Sequence, residues 1–428
     1  MLNDTTPSAT RAWLMVAMLF VFMLINFADK AVLGLAALPI MHELGLNHGQ
    51  FGLIGASFFA FFSLSAVIVG FMVNRLRTKW VLAAMALIWS LCQLPMALSL
   101  GIAGLLASRA VLGAGEGPAY PVALHAIFKW FPDNRRAVPA GLIAIGGSVG
   151  AGLVSPMVVY VIVTWSWRAA FGLLGVAGLV WLAFWIAFGR EGSLGVVDPT
   201  APAGALTRIP YRQLLGCRTV VGVLLIAFCA YWLLALAIVW LPAYLVEGRG
   251  YRPTAAGWII TLPFLLQIAV VPGICSLSDL LKRRGGSSKL VRGHLAAACA
   301  IIAGLLAIAL PIVQTPILSI ACVAVAFSIG GAIFVLGQVL VAEVTPVMQR
   351  GAMLGSITAI ATLAGPLAPA LMGWVVNFST DPGRGFRSGF IIAGGLVAAG
   401  SLLGMLLIDP ERDRARFATR RPFVLMGA

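Results

Sequence analysis

The stretch WLMVAMLFVFMLINFADKAVLGL, residues 13–35, decides the class of the fold. It opens with 13 consecutive apolar residues, and it is longer than the roughly 20 residues that an α-helix needs to cross a bilayer. Apolar stretches of this kind recur along the whole chain. They predict twelve membrane-spanning helices, at 12–36, 50–74, 80–98, 101–128, 138–164, 167–190, 219–246, 254–280, 290–311, 315–343, 350–377 and 386–408.

The composition of the chain excludes an ordinary soluble protein. Of its 428 residues, 61% are hydrophobic and only 10% are charged, and the mean hydropathy is +1.01. A soluble domain carries about 45–50% apolar and about 25% charged residues. The apolar stretches are continuous and do not alternate, which excludes a transmembrane β-barrel. We therefore expect an all-α integral membrane protein of 12 transmembrane helices, embedded in a lipid bilayer.

Lysine and arginine are distributed unevenly between the two sides of the predicted membrane. The chain has 29 of them, and 22 fall on the side of the N-terminus, against five on the other side. Since cytoplasmic loops are enriched in Lys and Arg, both termini are expected in the cytoplasm. The net charge of +15 is then a topology signal and not a nucleic-acid site. The six Cys and four His show no metal-ligand spacing, so no metal is expected.

The two halves of the chain are weakly repeated. Arg136 and Gly141 recur as Arg350 and Gly355, both at an offset of 214 residues. Parallel repeats of this length are typical of transporters built from two six-helix bundles. The predicted organisation is an N-terminal six-helix bundle at 1–190, a cytoplasmic linker at 191–218, a C-terminal six-helix bundle at 219–410 and a basic cytoplasmic tail at 411–428.

Four ionisable residues cannot be placed at a membrane surface. They are Asp29 and Lys30 in span one, and Arg109 and Glu116 in span four. A charge near the bilayer centre costs at least about 2.5–3.5 kcal/mol, so it needs a partner or a wet cavity. Arg109 and Glu116 are two helical turns apart and so share one face of their helix. One interpretation is a set of structural ion pairs, and the other is a site that binds an anion and a proton.

The balance of these four charges favours the functional interpretation. Fully ionised, they sum to zero, and protonation of one carboxylate leaves a charge of +1 that attracts an anion. A bound anion in turn offsets the cations and eases protonation of the carboxylates. Mutually favourable binding of an anion and a proton is the thermodynamic basis of symport. The expected coupling ion is a proton, and no other cofactor is expected.

Six short motifs run through the chain. They are Asn26–Lys30 (NFADK), Gly70–Arg75 (GFMVNR), Arg109–Pro118 (RAVLGAGEGP), Trp130–Pro132 (WFP), Trp240–Leu245 (WLPAYL) and Gln349–Ala352 (QRGA). Together they resemble the major facilitator superfamily, and more narrowly its anion:cation symporter family. The resemblance implies the major facilitator fold and proton-coupled import of an organic anion. It implies that Asp29 and Glu116 are the proton-coupling residues and that Arg109 is a coupling or substrate cation.

Departures from the family pattern concern the substrate. Lys30 stands where the family usually has Arg, so a bidentate grip on a carboxylate becomes a point charge. Phe62 and Ala66 stand where sugar-acid carriers tend to have Tyr and Gln, and Thr362 stands in place of Asn. Each of these three changes removes hydrogen-bonding capacity, and buried hydroxyls without partners are costly. The expected substrate is therefore a small, hydroxyl-poor organic anion, either a carboxylate or a sulfonate.

Further polar residues complete the predicted sites. The predicted substrate-binding set is Lys30, Arg109, Tyr231, Gln267, Gln338, Thr358 and Thr362. For the uncharged members, the alternative is a structural hydrogen bond between packed helices. Asn74, Arg75 and Asp279 are expected to form a cytoplasmic gate, or else to serve membrane topology alone.

The function expected from the sequence is secondary active transport by alternating access. The protein would take up a small organic anion with protons, as a functional monomer in a bacterial inner membrane. Two alternatives stay open: a drug/proton efflux antiporter, and a membrane receptor that binds an anion without moving it. An enzyme is not expected, because no nucleophile and base, His cluster or phosphate-binding loop is present in the sequence.

Overall fold

The fold is entirely helical in the part of the chain that the structure, a computed structural model, describes: residues 9–72, 76–97, 101–131, 137–192, 209–346 and 349–418. The first helices are α1 (Ala9–Leu35), α2 (Ala37–Leu44), α3 (His48–Met72), α4 (Thr78–Gln93), α5 (Gly101–Glu116), α6 (Ala119–Phe128), α7 (Ala137–Ala151), α8 (Val154–Thr164) and α9 (Trp167–Phe188). They continue with α10 (Tyr211–Leu215), α11 (Arg218–Val239), α12 (Leu241–Ala243), α13 (Pro253–Arg283), α14 (Leu295–Ala309), α15 (Pro316–Ala326), α16 (Gly330–Val344), α17 (Arg350–Thr362), α18 (Ala364–Asn377), α19 (Pro382–Leu407) and α20 (Pro410–Ala418). A 3-10 turn at Leu94–Ala97 and π-helical turns at Tyr244–Gly248 and Lys289–His294 complete the described elements.

Ten helical stretches of the described residues are long and apolar enough to cross a membrane. They coincide with ten of the twelve predicted spans. The predicted span at 80–98 contains α4, a shorter apolar helix, and the predicted span at 101–128 is divided into α5 and α6. The protein is thus a multi-pass, all-α membrane protein, as the sequence predicts.

The break between α5 and α6 lies directly after Glu116. Gly117 and Pro118 form this break. Pro118 has no backbone N–H with which to continue the helical ladder, and its ring disfavours a helical conformation at the residue before it. The Glu116 carboxylate is therefore carried at the very end of α5, inside the membrane-spanning region.

Contacts divide the described chain into two compact units. The first contains the described residues between 9 and 192, together with Ile238–Val246 and Gly250–Thr261. The second contains the described residues between 209 and 237, Glu247–Arg249, and those from Leu262 to 418. The C-terminal end of α11, most of the segment after it and the start of α13 thus pack in the first unit.

Glycines allow α5 to approach α3 closely in the first unit. A Cβ atom on Gly113 would collide with the backbone carbonyl of Phe58, and one on Gly117 with that of Phe62. Small residues at four-residue spacing let helix backbones come together inside a membrane. This contact fixes the height and rotation of α5, and with them the positions of its two charged side chains.

A second glycine face holds α1 against α7. A Cβ atom on Gly146 would collide with the carbonyl of Phe20, and one on Gly150 with that of Leu24. The absence of a side chain at both positions lets the two helix backbones touch. α1 is therefore held along the half that leads directly to Asp29 and Lys30.

Each unit contains a carboxylate that caps a distant helix. Glu191 accepts hydrogen bonds from the backbone N–H groups of Thr78 and Lys79, at 3.2 and 3.0 Å, and from the ammonium of Lys129. In the second unit, Glu411 accepts from the N–H groups of Ser288 and Lys289, at 2.5 and 3.3 Å. Carboxylates at helix N-termini bind otherwise unpaired N–H groups. The recurrence of one device in both halves agrees with the internal repeat.

The capping interactions also set the acidity of Glu191. Burial acts to raise the pKa of this carboxyl, but the hydrogen bonds from Lys129, Lys79 and Thr78 outweigh it, and the pKa is lowered overall. Glu191 is consequently held as a carboxylate at neutral pH.

The described residues include parts of the predicted linker and of the predicted tail. In the predicted linker, α10 is followed at once by α11, and the backbone of Ile209 exchanges two hydrogen bonds with the Gln349 side chain, at 3.0 and 2.7 Å. In the predicted tail, Asp413 of α20 accepts a hydrogen bond from the Thr219 N–H at 2.9 Å. The division of the sequence into two bundles, a linker and a tail stays a prediction.

Candidate functional site

The four ionisable residues singled out in the sequence lie together inside the first unit. The exposed fractions of Asp29, Lys30, Arg109 and Glu116 are 0, 8, 1 and 0%. α1 supplies the first two and α5 the other two. The Lys30 Nζ lies 3.9 Å from Glu116 Oε2, and Asp29 interacts electrostatically with Arg109, Lys30 and Glu116. The structure therefore forms one buried cluster of two acids and two bases, which we call the charge cluster.

Lys30 is held by several neighbours in addition to Glu116. Its ammonium donates a hydrogen bond of 2.5 Å to Asn26 Oδ1, one turn earlier on α1. It also lies over the rings of Phe27 and Phe62, 4.2 and 4.9 Å from their centroids. Such cation–π contacts are attractive, and more so where water is excluded. Lys30 is thus already well coordinated by the protein itself.

Arg109 is more available for a ligand. Its guanidinium carbon lies 4.8 Å from the centroid of the Phe171 ring on α9, so one face of the group is covered. Its Nε and Nη2 atoms are buried and have no hydrogen-bond partner among the described residues. These two nitrogens form the edge of a guanidinium that binds a carboxylate through two parallel hydrogen bonds.

Both carboxylates of the charge cluster are also short of hydrogen bonds. All four carboxylate oxygens of Asp29 and Glu116 are buried without a hydrogen-bond partner in the described part of the chain. An ionised carboxylate in apolar surroundings is costly unless it is paired and hydrogen-bonded. Since two cations lie close by but form no hydrogen bonds to these oxygens, the cluster has spare capacity for a proton and for a ligand.

Sequence reasoning did not identify one member of this region, Gln93 at the C-terminal end of α4. Gln93 is fully buried, and its amide lies beside the Asp29 carboxylate. Both of its amide heteroatoms lack a hydrogen-bond partner among the described residues. A Gln within the predicted span 80–98 was an available signal, but uncharged amides are frequent in spanning helices and do not stand out as charges do. The aromatic neighbours Phe27 and Phe171 were equally hidden among many apolar residues.

The other predicted substrate residues lie in the second unit. Tyr231 of α11 is buried, with its ring edge-on to Phe334, and Gln267 of α13 packs its amide against Gly331. Gln338 of α16 is exposed in this unit. Thr358 and Thr362 of α17 donate to backbone carbonyls of their own helix, at 2.9 and 2.8 Å. Both threonine hydroxyls thus bond within α17, and not between helices, while a substrate role for the five stays a prediction.

The predicted cytoplasmic gate is described only in part. Asn74 and Arg75 lie outside the described residues. Asp279 of α13 is exposed, and its carboxylate lies 3.5 Å from a guanidinium nitrogen of Arg292. Arg292 also pairs with Glu343 of α16, which in turn binds Arg414 of α20 at 3.0 Å. Asp279 thus belongs to a network of ion pairs within the second unit.

No group of three or more potential metal ligands was found among the described residues. The six cysteines are unpaired, and four of them are buried. Burial raises the pKa of the Cys217 thiol, just ahead of α11, to about 11, so this thiol stays protonated and unreactive.

Buried charges of both signs inside a bundle of apolar spanning helices are typical of membrane proteins with an ion or substrate pathway. Comparison with known proteins agrees. The profile of the Major Facilitator Superfamily matches residues 18–330 and again residues 223–426. The chain belongs to the Major Facilitator Superfamily, as its motifs predict.

Relatives and solved structures narrow this placement. A hexuronate transporter of Bacillus subtilis is 27% identical over 403 residues, covering 92% of this chain and 94% of the relative. A probable sulfoacetate transporter of Cupriavidus necator is 28% identical over 284 residues, covering 63% of this chain and 65% of the relative. The crystal structure of a bacterial homologue of the human lysosomal transporter Spinster matches with a TM-score of 0.77 at 16% identity, over 96% of this chain and 99% of that one. At 16% identity, the match to the Spinster homologue shows a shared fold and nothing about function.

Proposed function

We propose that this protein is a secondary active transporter that carries a small organic anion together with protons by alternating access. The observation that carries the proposal is the charge cluster, in which two buried carboxylates and the open edge of Arg109 lack hydrogen-bond partners among the described residues. Groups so costly to bury are retained in membranes mainly at ion and substrate pathways. The relatives named above agree in one respect, since both are named as transporters of organic anions.

The anion is assigned to Arg109. Its Nε and Nη2 can grip a carboxylate or sulfonate through two parallel hydrogen bonds. Lys30 contributes charge at short range, while its own hydrogen bond goes to Asn26. An anion held at Arg109 offsets the positive charge next to both acids, which favours protonation of one of them.

The proton is assigned to Asp29 and Glu116 as a coupled pair. With both acids ionised the charge cluster is neutral, and an entering anion would make it net negative in a low-dielectric interior. Uptake of one proton restores neutrality, so the neutral loaded state can reorient through the membrane more easily than the charged one. Coupling of anion and proton thus follows from the cost of buried net charge.

Aromatic rings around the two cations favour a hydroxyl-poor anion. Phe27, Phe62 and Phe171 each lie within 5 Å of a cationic group, and none of them can pair with a sugar hydroxyl. A polyhydroxylated acid would leave several hydroxyls without partners, at a cost of about 1–3 kcal/mol each. The proposed substrate class is therefore small carboxylates or sulfonates. Proton-driven uptake into the cytoplasm across a bacterial inner membrane is part of the same proposal.

The proposal is tested by reconstitution into liposomes with an imposed pH gradient, acidic outside. Uptake is measured for four labelled probes, sulfoacetate, propionate, benzoate and galacturonate, and uptake by protein-free liposomes is subtracted because propionic and benzoic acids cross a bilayer unaided. We expect at least one of the first three to accumulate against its gradient, and to do so more than galacturonate. Accumulation should collapse when the pH gradient is removed, while counterflow of the same probe at equal pH should persist.

Arg109→Gln is the informative variant, because it removes the proposed anion-binding edge. Arg168→Gln is the matched control, since Arg168 pairs with Glu43 away from the charge cluster. Transport in the control and none in Arg109→Gln is the expected result. Galacturonate uptake above that of the other probes would overturn the substrate class. Absence of any pH-dependent accumulation in the wild type would overturn proton coupling.

A further inference from the structure

We propose that Gln93 is a positioning residue that hydrogen-bonds Asp29 in both of its protonation states, donating to the carboxylate and accepting from the carboxylic acid. The inference rests on the proposed function in one respect, since it takes Asp29 as a group that exchanges a proton. It adds a residue of α4 to the site, whose charged residues and predicted substrate residues all lie on other helices.

The side chain of Gln93 is enclosed within the first unit. It is the last residue of α4, immediately before the 3-10 turn at Leu94–Ala97, and its exposed fraction is 0%. Its Cβ lies 3.2 Å from the position that a Cβ on Gly175 of α9 would occupy. Gln93 is therefore packed against α9 at its Cβ, and its amide lies near the Asp29 carboxylate.

An amide at this position is costly unless it has a partner. Both amide heteroatoms of Gln93 and both carboxylate oxygens of Asp29 are buried without a hydrogen bond to any described residue. A buried amide without hydrogen bonds destabilises a protein, whereas an apolar side chain of the same size would pack at no such cost. The Gln93 amide lies near enough to the Asp29 carboxylate to interact with it, so a rotation of side-chain torsions would let each group satisfy the other.

The charged neighbours of Asp29 cannot replace Gln93 in both states. The titratable groups that face Asp29 are Lys30 on its own helix and Arg109 and Glu116 on α5, and Cys92 of α4 lies near Arg109 and Glu116. Lysine and arginine only donate hydrogen bonds, so they can serve the carboxylate but not the acid O–H. Among these neighbours the acceptors are Glu116, which carries a charge of its own, and the Gln93 amide. An amide has both a carbonyl acceptor and an NH2 donor, so rotation of one side chain serves either state.

This inference is tested by infrared difference spectroscopy of the purified protein without any anion, titrated from acidic to alkaline pH. The carbonyl stretch of protonated Asp29 is identified as the band that Asp29→Asn removes. The test variant is Gln93→Met, which keeps the length of the side chain and loses its hydrogen-bonding groups. The control is Ser90→Ala, one turn earlier on α4, where the hydroxyl is also buried but lies against Gly178 of α9.

The expected result is a higher stretching frequency and a midpoint moved to more alkaline pH in Gln93→Met. Because a hydrogen bond favours the charged form more than the neutral form, its loss should move the midpoint by about 0.7 pH unit. Ser90→Ala should match the wild type in both respects. If Gln93→Met does not fold, Gln93→Asn retracts the amide by one methylene and should shift the band in the same direction.

The result that would overturn the inference is a band of unchanged frequency and midpoint in the Gln93 variants, or the absence of any titrating Asp29 band. Neither outcome depends on the transport assay. If the Asp29 band responds to Gln93 as expected but no probe anion is transported, the proposed function fails and the pairing stands. If transport is proton-coupled but the band ignores Gln93, only the pairing fails.

Discussion

Replacement of Glu116 by Gln should make anion binding tighter at alkaline pH and almost independent of pH. The change removes one negative charge from the charge cluster and keeps the shape of the side chain. Glu116 Oε2 lies 3.9 Å from the Lys30 ammonium. At an effective dielectric constant of about 20, two unit charges at this distance attract each other by about 4 kcal/mol.

That attraction is the upper limit of the binding free energy that an anion can gain when the charge of Glu116 is removed. Coupling free energies between sites are commonly about 1–3 kcal/mol, which corresponds to a gain in affinity of about 5- to 150-fold. The gain should be larger at about pH 8.5, where the wild-type acids are more often ionised, and smaller at about pH 5.5, where protonation has the same effect as the substitution (both pH values are about 1.5 units from neutral).

The assay is calorimetric titration of the purified protein with the best probe anion at the two pH values. Glu191→Gln is the matched control, because it removes a carboxylate of the same unit that caps α4 outside the charge cluster. In liposomes, Glu116→Gln should lose accumulation driven by the pH gradient and keep counterflow. The reasoning is refuted if Glu116→Gln binds the anion no tighter than wild type near pH 8.5, or if its affinity stays as dependent on pH as that of the wild type.

Three further predictions follow from individual contacts. Arg109→Lys should weaken anion binding by about 10- to 150-fold in the same titration. The reason is that a point charge replaces the Nε and Nη2 edge, so one charge-assisted hydrogen bond is lost. Affinity equal to wild type would show that the anion does not use this edge. Gly150→Ala should lower the free energy of unfolding by about 1–3 kcal/mol in a denaturation assay, because its Cβ would collide with the Leu24 carbonyl. Gly355→Ala is the control and should be neutral, since no atom lies within 4 Å of the added Cβ. Equal effects of the two substitutions would contradict the packing of α1 on α7. Glu191→Gln should lower the melting temperature near neutral pH. The difference from wild type should vanish as the pH falls below about 4.5, because a carboxyl with a lowered pKa stabilises the fold only while it is ionised. A difference that persists in acid would exclude the capping role.

Much of the fold could be predicted from the sequence, because apolar runs of about 20 residues have one solution in a bilayer. The spans that were less regular than predicted are those with internal Gly and Pro, such as the break at Gly117 and Pro118. Hydropathy averages over such positions and cannot show whether a helix continues through them.

The charged half of the site was equally visible in the sequence, since Asp29, Lys30, Arg109 and Glu116 interrupt apolar stretches. Their mutual distances depend on how α1 and α5 are rotated, which the glycine contacts decide in three dimensions. Gln93 shows the limit of this reasoning. Its proposed importance comes from its place near Asp29, and a single uncharged side chain carries no record of that place in the sequence.

The central claim, that one anion and one or more protons bind together, is tested most directly by counting protons during anion binding. The purified protein in weakly buffered solution, with a pH indicator, is mixed with a saturating concentration of the best probe anion. The account predicts alkalinisation of the solution by wild type as protons are taken up, and none by Asp29→Asn/Glu116→Gln. Anion binding by wild type with no change in pH, or with release of protons, would contradict it.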